Sequence, residues 1–262
     1  MTTLEASLVG VRRGGRAILD NVSIRAEGGA FVAVIGPNGA GKSTLLMTLA
    51  GLLKCDSGTI TINDRPLGGF SRWELARTRS YLPQNPRCEW PISVARLVAL
   101  GLTPTLPVFG DLPESHRIRV AEVLAAFDLV ERSEQAATTL SGGELTRAML
   151  ARALVGDPDI LIVDEPVAGL DPRHTLDTVR SLGGLAKSGK LVIAAVHDLT
   201  LAARYATRIL ALDHGRVAAD GPPGTTLDTD LLRTVFQVEA HIGGVAGGAF
   251  VDYLAPAGER RQ

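Results

Sequence analysis

The sequence predicts an α/β fold with a mostly parallel sheet, because three short segments are apolar at consecutive positions. These segments are AFVAVIG at 30–36, DILIVDEP at 159–166 and KLVIAAVHD at 190–198. Apolar runs of this kind are typical of parallel strands that are covered on both faces. The segments KSTLLMTLAGLL and PRHTLDTVRSLGGLAKSG follow the first two runs and have the pattern of helices, the second being a crossover between strands.

A second observation is the long middle segment, which indicates a helical subdomain inserted into the α/β core. From Ile92 to about Ala153 the chain has almost no strand signal. Within this segment Val120, Leu124 and Phe127 mark one face of an amphipathic helix, and DLPE introduces that helix.

The third observation is alternation of apolar and polar residues in two other places. The first thirty residues and RILALDHGRVAADG at 208–221 alternate in this way, which predicts antiparallel hairpins that flank the parallel sheet. The tail is rich in glycine and alanine, so we expect a loosely packed end. We predict a single domain, with the core and its antiparallel β subdomain at 1–90 and 154–242, the helical subdomain at 91–153 and the C-terminal tail at 243–262.

Composition limits the classes of function. The 262 residues are 45% hydrophobic, which is ample for a buried core, and the net charge of -1 gives no general electrostatic reason for a nucleic-acid partner. Cys55 and Cys88 lie in no C-x-x-C pair and suit a reducing compartment. No apolar run approaches the ~18 residues of a membrane span, and the first residues lack the pattern of a secretion signal. We therefore expect a cytoplasmic chain whose role at a membrane, if it has one, is peripheral.

The loop GPNGAGKS at 36–43 matches the pattern G-x-x-x-x-G-K-[ST]. Glycines let such a loop curl until its N–H groups surround a phosphate at the N-terminus of a helix. Lys42 is then expected to reach the β- and γ-phosphates, and the hydroxyl of Ser43 to ligate Mg²⁺. With a strand before it and a helix after it, this motif predicts the core of a P-loop NTPase.

Polar side chains follow the other predicted strands. Asp164 is the expected partner of the Mg²⁺ held by Ser43, and Glu165 is placed to polarise an attacking water, although a strand end can also carry two solvated carboxylates. His197 follows LVIAAV at the sheet edge where open α/β folds bind ligands, and it is either a contact of the γ-phosphate and the water or a structural histidine. Gln84 can sense the metal or the water, or can be an ordinary loop glutamine.

A second glycine turn, LSGGELTR at 140–147, needs its own explanation. A capping box accounts for Ser141 and Glu144 but not for Gly142 and Gly143. Two glycines in front of a helix let a phosphate approach the backbone N–H groups. Because the first loop already holds a nucleotide from one side, we expect the second to close over a nucleotide held by another copy, so that ATP holds a dimer together.

Taken in order, GPNGAGKST, Gln84, LSGGE, LIVDEP, AGLDP and His197 resemble the ATPase subunits of ABC transporters, from about Leu8 to Val238. The resemblance implies ATP hydrolysis with ATP and Mg²⁺ as cofactors. It implies a nucleotide-binding Walker A loop made of Gly36, Pro37, Asn38, Gly39, Ala40, Gly41, Lys42, Ser43 and Thr44. It implies catalysis by Glu165, His197, Gln84 and Lys42, and a metal site made of Ser43, Gln84 and Asp164. It implies that the partner copy contributes Ser141, Gly142, Gly143, Glu144 and Asp171.

Longer and less specific segments of the sequence indicate one group within this family. RSYLPQNP, WPISVARLVALG, HDLTLAARYATRILALDHGRVAADGPP and LLRTVF are similar to the importers of ferric siderophores, haem and vitamin B12. These importers keep the ATPase on a separate chain, which implies a second copy, an integral-membrane permease and an external substrate-binding protein as partners, and a peripheral location on the cytoplasmic face of the inner membrane. The segment EWPISVARLVALGLTPTLPVF at 89–109 either lines the groove for the permease beside Gln84 or is ordinary subdomain core.

Some positions depart from the family pattern. VRRGG places Arg12 or Arg13 where relatives stack an aromatic ring on adenine, and a guanidinium plane can also stack on a base. Leu145, Thr146 and Val167 are unusual, but none is assigned to phosphate, metal or water, so hydrolysis is still expected.

Rival functions follow from the same motifs. One is an ABC ATPase outside transport, for example in iron-sulfur cluster assembly, or an ABC importer of another substrate. The other is a GTP-binding switch, which would require an N-K-x-D motif that the sequence lacks and would leave LSGGE without a role.

Overall fold

The computed structural model describes residues 1–106, 112–245 and 248–257. The strands are β1 (Thr3–Arg13), β2 (Arg16–Glu27), β3 (Phe31–Ile35), β4 (Ser57–Ile62), β5 (Arg65–Pro66), β6 (Arg79–Leu82), β7 (Ile160–Asp164), β8 (Leu191–Ala195), β9 (Arg208–Asp213), β10 (Arg216–Gly221), β11 (Val238–Val245) and β12 (Gly248–Pro256). The helices are α1 (Lys42–Leu49), α2 (Arg72–Thr78), α3 (Val94–Ala99), α4 (Glu114–Ala126), α5 (Gly142–Leu154), α6 (Pro172–Lys187), α7 (Leu199–Tyr205), α8 (Pro223–Thr226) and α9 (Thr229–Val235).

The main sheet has six strands in the order β10-β9-β3-β8-β7-β6, and all neighbours are parallel except β9 and β10. Every residue of β3, β7 and β8 is buried. Since side chains alternate between the two faces of a strand, Phe31, Ala33 and Ile35 belong to one hydrophobic cluster, while Val32 and Val34 belong to the other. The predicted mostly parallel sheet is confirmed, and the two clusters explain why its strands are apolar throughout.

The predicted antiparallel subdomain is a second sheet with the order β2-β1-β4-β5. Its inner residues, among them Leu4, Val22 and Ile60, share a hydrophobic cluster with Val32 of β3. This packing fixes β2 beside the loop that follows β3.

The hairpin at 208–221 lies in a different place from the one predicted. It was expected to flank the parallel sheet, but β9 pairs in parallel with β3 inside the main sheet, and β10 closes the edge. The residues Ile209 to Leu212 of β9 are all buried, so this strand is apolar on both faces. The apparent alternation came from β10, where exposed and half-buried residues alternate. Strand β6 was not predicted, because its four residues give too short a pattern.

The helical subdomain contains α3, α4 and α5, and its described part carries no strand beyond a single bridge between Ser93 and Ala136. Val120 and Leu124 of α4 are buried, whereas Phe127 lies just past the end of that helix and is only partly buried. Asp111 of DLPE and the last three residues of the segment 89–109 lie outside the described residues.

The tail also differs from expectation, because β11 and β12 form an antiparallel hairpin. Val251 is buried, and its N–H donates to the hydroxyl of Thr200 at 3.1 Å; Arg204 donates from Nε to the carbonyl of Ala249 at 3.2 Å. The expectation of a loosely packed end is therefore wrong for β12. Glycine and alanine dominate the composition of the tail, but FVDYL within it has the residues of a strand. Residues 246–247 and 258–262, the last of which are GERRQ, lie outside the described residues.

Across the described ranges, the helices are too short or too polar for any of them to cross a membrane.

Candidate active site

A cleft of about 670 Å³ opens at the carboxyl ends of the parallel strands. It is lined by Ile18, Asn38, Gly39, Gly41, Lys42, Ser43, Thr44, Gln84, Glu165 and His197. The glycine loop follows β3, Glu165 follows β7, His197 lies just past β8, and Gln84 lies just past β6. Because these strands are parallel neighbours, residues from four separated segments meet at one edge of the sheet.

Glycines are required in the loop between β3 and α1. Gly36 and Gly41 have φ values of 149° and 101°, a backbone region that favours glycine. A β-carbon on Gly36 would lie 2.3 Å from the carbonyl oxygen of Leu212, so no other residue fits there. Helix α1 begins without a side-chain cap and with no acidic residue in its first turn. Its N-terminal N–H groups are therefore open to an anion in the cleft.

Lys42 is held inside this loop. It is only 6% exposed, and its Nζ donates to the carbonyl oxygens of Gly36 at 2.8 Å and Pro37 at 3.0 Å. Burial lowers the pKa of the amine, and the carboxylates of Glu165 and Asp164 oppose that effect. A compact cation next to open N–H groups suits the phosphates of a nucleotide.

The environment of Asp164 shows whether the site fits a divalent cation. The residue is 2% exposed, and its buried Oδ1 has no hydrogen-bond partner among the described residues. Burial raises the pKa of this carboxyl, while a hydrogen bond from the Ser43 hydroxyl counteracts part of the effect. A buried carboxylate oxygen without a donor is costly unless a cation satisfies it. The donor set of carboxylate and hydroxyl fits Mg²⁺, which prefers oxygen ligands.

Glu165 and His197 contact each other directly at the cleft. Nε2 of His197 donates to Oε1 of Glu165, whose side chain is mostly buried. Glu165 has a φ of 51°, in the left-handed region that residues with a β-carbon adopt at a cost of about 1–2 kcal/mol. Strain of this kind persists only where surrounding contacts maintain it, and it occurs often at functional sites.

The second glycine turn lies outside this cleft. Ser141 and Glu144 form the predicted capping box: Oγ of Ser141 accepts from the Glu144 N–H at 3.3 Å, and Oε2 of Glu144 accepts from the Ser141 N–H at 2.9 Å. A β-carbon on Gly142 would meet no atom of the described residues within 4 Å, so the start of α5 faces open space in that part of the chain. Asp171 is the N-cap of α6 and also lies outside the set of residues that line the cleft.

Arg13 and Arg12 lie at the β1–β2 turn, where both are exposed, and neither belongs to the described lining of the cleft. The lining residue from this region is Ile18 of β2, which sequence reasoning missed. Ala17, Ile18 and Leu19 are consecutive apolar residues in a strand that otherwise alternates, and Leu19 is buried. That break in the alternation is the signal that could have found Ile18.

Two of the three unusual residues, Leu145 and Thr146, make contacts inside the helical subdomain. Leu145 packs against the hydrophobic cluster, and the hydroxyl of Thr146 donates to the carbonyl of Gly142 at 2.9 Å. Val167 is half-buried beyond β7. None of the three is among the residues that line the cleft.

A glycine loop between a buried strand and a helix, a buried carboxylate at the end of a neighbouring strand, and a second carboxylate bonded to a histidine define the class of P-loop ATPases. Within that class, the chain belongs to the ABC transporter family, whose pattern matches residues 19–168.

Individual relatives agree with this assignment. The chain is 40% identical over 259 residues to a hemin import ATP-binding protein from Rhodopseudomonas palustris, with 95% of each chain covered. It is 42% identical over 240 residues to the protein of the same description from Nocardia farcinica, covering 90% of this chain and 83% of the relative.

Solved structures show the same fold. A dimeric ATP-binding cassette in a post-hydrolysis state with ADP and phosphate matches with a TM-score of 0.76 and 26% identity, covering 84% of this chain and 98% of the other. A chain from a transporter described as metal-chelate type, in an inward-facing conformation, matches with a TM-score of 0.83 over 98% and 99% of the two chains. At 20% identity, the second likeness concerns the fold alone.

Proposed function

We propose that this chain is the ATP-hydrolysing subunit of an importer that moves haem, or a related iron chelate or cobalamin, through a separate permease. The observation that carries the proposal is the 40% identity, over 95% of both chains, with a protein described as a hemin import ATP-binding protein. Haem is the first candidate substrate for that reason.

The cleft residues support a division of roles in hydrolysis. The loop from Gly36 to Thr44 binds the phosphates through its N–H groups and through Lys42. Glu165 acts as the base that polarises the attacking water, and His197 holds the Glu165 carboxylate in place through their hydrogen bond. Mg²⁺, when bound, neutralises phosphate charge, and Ser43, Gln84 and Asp164 would hold it.

A single chain has only part of the site in this proposal. The remaining part comes from the partner copy and consists of Ser141, Gly142, Gly143, Glu144 and Asp171. Supporting this arrangement, Gly142 faces open space at the start of α5, where N–H groups can meet a phosphate. Two copies close over two ATP molecules, and loss of the γ-phosphate lets them separate.

A groove of about 600 Å³ between β6 and the helical subdomain is the proposed seat of the permease. It has apolar residues such as Leu52, Leu100 and Met149 in its lining, and Gln84 lies between the lining residues Pro83 and Pro86. Trp90, which is 69% exposed, stands next to it in an adjoining pocket. The described part of this segment, 89–106, combines both expectations, because Leu100, Gly101, Thr103 and Pro104 line the groove, whereas Val94, Leu97, Val98 and Leu102 are buried in the core.

The remaining elements of the proposal follow from the importer assignment. The chain works at the cytoplasmic face of the inner membrane as a peripheral subunit, and an external binding protein delivers the substrate to the permease. Arg13, or its neighbour Arg12, stacks on adenine once nucleotide is bound, and Ile18 of the following strand lines the cleft.

Purification from native membranes tests the proposal against the rival readings. The tagged chain, recovered after detergent solubilisation, should bring down a polytopic permease, and a deletion strain should lose growth on haem as sole iron source. Recovery only in soluble complexes would instead favour an ABC ATPase outside transport, such as one in iron-sulfur assembly. Normal growth on haem, with a defect on a siderophore, cobalamin or an unrelated solute, would reassign the substrate.

A further inference from the structure

A mostly buried arginine connects the helical subdomain to the start of α6. Arg147 lies on α5, and its side chain is 11% exposed. Its Nη1 lies 2.9 Å from Nε2 of His174, 3.4 Å from the carbonyl oxygen of Phe127 and 3.5 Å from Oδ2 of Asp128. Its Nε has no hydrogen-bond partner within the described ranges. A guanidinium this buried is stable only through the partners it keeps, and His174 is the nearest of them.

His174 also contacts Asp171. Nδ1 of His174 lies 2.6 Å from Oδ2 of Asp171, and the His174 N–H donates to Oδ1 of the same carboxylate at 3.0 Å. Because a guanidinium has only donors, Nε2 must accept from Arg147, and the ring proton is then on Nδ1. The imidazole thus accepts on one side and donates on the other, which orients the carboxylate of Asp171.

The two loops that this chain of contacts connects also lie close together at their tips. A β-carbon on Gly143 would lie 3.4 Å from Cδ2 of Leu170 and 3.9 Å from the carbonyl oxygen of Gly169. The segments Ser141–Glu144 and Gly169–Asp171 therefore lie side by side in one chain, although they come from the helical subdomain and from the core. Farther along the chain from these tips, the contact between Arg147 and His174 joins α5 and α6, the helices that begin at these two segments.

We propose that His174 is a positioning residue that, with Arg147, fixes Gly169–Asp171 against Ser141–Glu144, so that one chain presents both loops to its partner's nucleotide as a unit. The inference rests on the proposed function, since it assumes that two copies share a nucleotide. It assigns His174 no contact with ATP. Its expected effect is on closure of the dimer and not on binding of ATP to a single chain.

The side-chain chemistry provides a matched set of variants. In His174→Gln the amide can donate to Asp171 and accept from Arg147, so both contacts can be restored. His174→Asn has the same groups but is one methylene shorter, and His174→Leu keeps apolar volume while removing both contacts. Arg180→Leu, an exposed position on the same helix, is the control.

The test measures the ATP-dependent dimer by light scattering in a Glu165→Gln background, and nucleotide affinity of the monomer by titration with a fluorescent ATP analogue. We expect dimerisation about tenfold weaker in His174→Leu and His174→Asn, the loss of a hydrogen bond to a charged group, with near-normal dimerisation in His174→Gln. Monomer affinity should stay within about twofold throughout. In the Glu165-intact chain, kcat should fall while KM for ATP changes little.

The outcomes distinguish failure of the proposed function from failure of the role of His174. Failure of Glu165→Gln alone to dimerise with ATP would overturn the proposed function. Dimerisation of that variant, combined with equal dimerisation of the Gln, Asn and Leu variants at 174, would overturn only the role of His174. If His174→Leu does not fold, the comparison of Gln with Asn decides, and equal behaviour of these two overturns the inference.

Discussion

Nε2 of His197 donates to Oε1 of Glu165, although the two residues are 32 positions apart in the sequence. The contact joins the ends of β7 and β8, which are parallel neighbours. It forms while Glu165 occupies a left-handed backbone conformation and while Asp164, one residue earlier, is buried in the sheet. Two adjacent carboxylates therefore have different environments: Asp164 is buried with one oxygen that has no partner among the described residues, and Glu165 is bonded to a histidine at the cleft.

Glu165→Gln should abolish hydrolysis and preserve ATP binding. The amide keeps the size of the side chain but cannot act as a base, so phosphate release should fall by at least about 100-fold. The variant should accumulate as an ATP-bound dimer, measured by light scattering. Glu122→Gln, at an exposed position of α4, should hydrolyse ATP normally. Near-normal phosphate release from Glu165→Gln would remove this residue from the catalytic assignment.

Gly142→Ala should separate stability from activity. Among the residues that the structure describes, none lies within 4 Å of the new methyl group, and alanine suits a helix. The free energy of unfolding should therefore stay equal or rise by up to about 1 kcal/mol. The methyl group would nevertheless stand where a partner's phosphate approaches, and we expect ATPase activity to fall about tenfold or more, equivalent to ~1.4 kcal/mol.

The matched control for this variant is Gly184→Ala in α6, where a β-carbon also meets nothing within 4 Å. Urea unfolding and phosphate release should show a similar change in stability and full activity for this control. Full activity in Gly142→Ala as well would mean that no phosphate approaches the start of α5.

The groove proposed for the permease carries Arg79, Arg87 and Arg152, and no acidic residue is among the described residues that line it. Arg152→Glu should therefore weaken recovery of the permease from solubilised membranes by about tenfold, through repulsion and a lost ion pair. Phosphate release from the isolated chain should be unchanged. Arg180→Glu, a charge reversal at an exposed position on α6, is the control. Equal recovery of the permease with both variants would place its docking surface elsewhere.

Stability should depend on pH through Glu144. Its pKa is lowered by the hydrogen bond from the Ser141 N–H, then by the Ser141 hydroxyl and by Arg132. Since the folded value lies below the unfolded value of about 4.3, the carboxylate stabilises the fold above that pH, and the contribution is lost as pH falls through the folded value. The difference in unfolding free energy between the native chain and Glu144→Gln, which keeps an acceptor for the cap, should shrink between about pH 5 and pH 3. Urea titrations at several pH values measure it, and a constant difference would contradict the expectation.

Many residues of the cleft could be predicted, because short sequence motifs reflect the backbone conformation that each segment needs. The glycine loop needs positive φ at Gly36 and Gly41, and the motif encodes this directly. Asp164 and His197 could be placed at one sheet edge because apolar runs mark the strands that precede them. The capping box at Ser141 was equally visible, since it depends on residues three positions apart.

Other features escaped prediction because they depend on which segments pair. Strand β9 is apolar at consecutive positions from Ile209 to Leu212, but nothing in that run says that its parallel neighbour is β3. Ile18 enters the cleft because the antiparallel sheet packs beside the glycine loop. Strand β12 was hidden by the glycine and alanine around it, and it is ordered by its contacts with α7.

Local patterns in the sequence identify the phosphate loop, the carboxylates, the histidine and the second glycine turn, because each consists of characteristic residue types at short, fixed spacings. Which of these groups meet depends on the tertiary structure. It placed His197 against Glu165, left the start of α5 outside the cleft of its own chain, and set Gly143 beside Leu170. The difference lies in the sequence separation of the residues that interact. Residues a few positions apart set the local backbone conformation, whereas contacts between distant segments follow from strand order and the packing of the core.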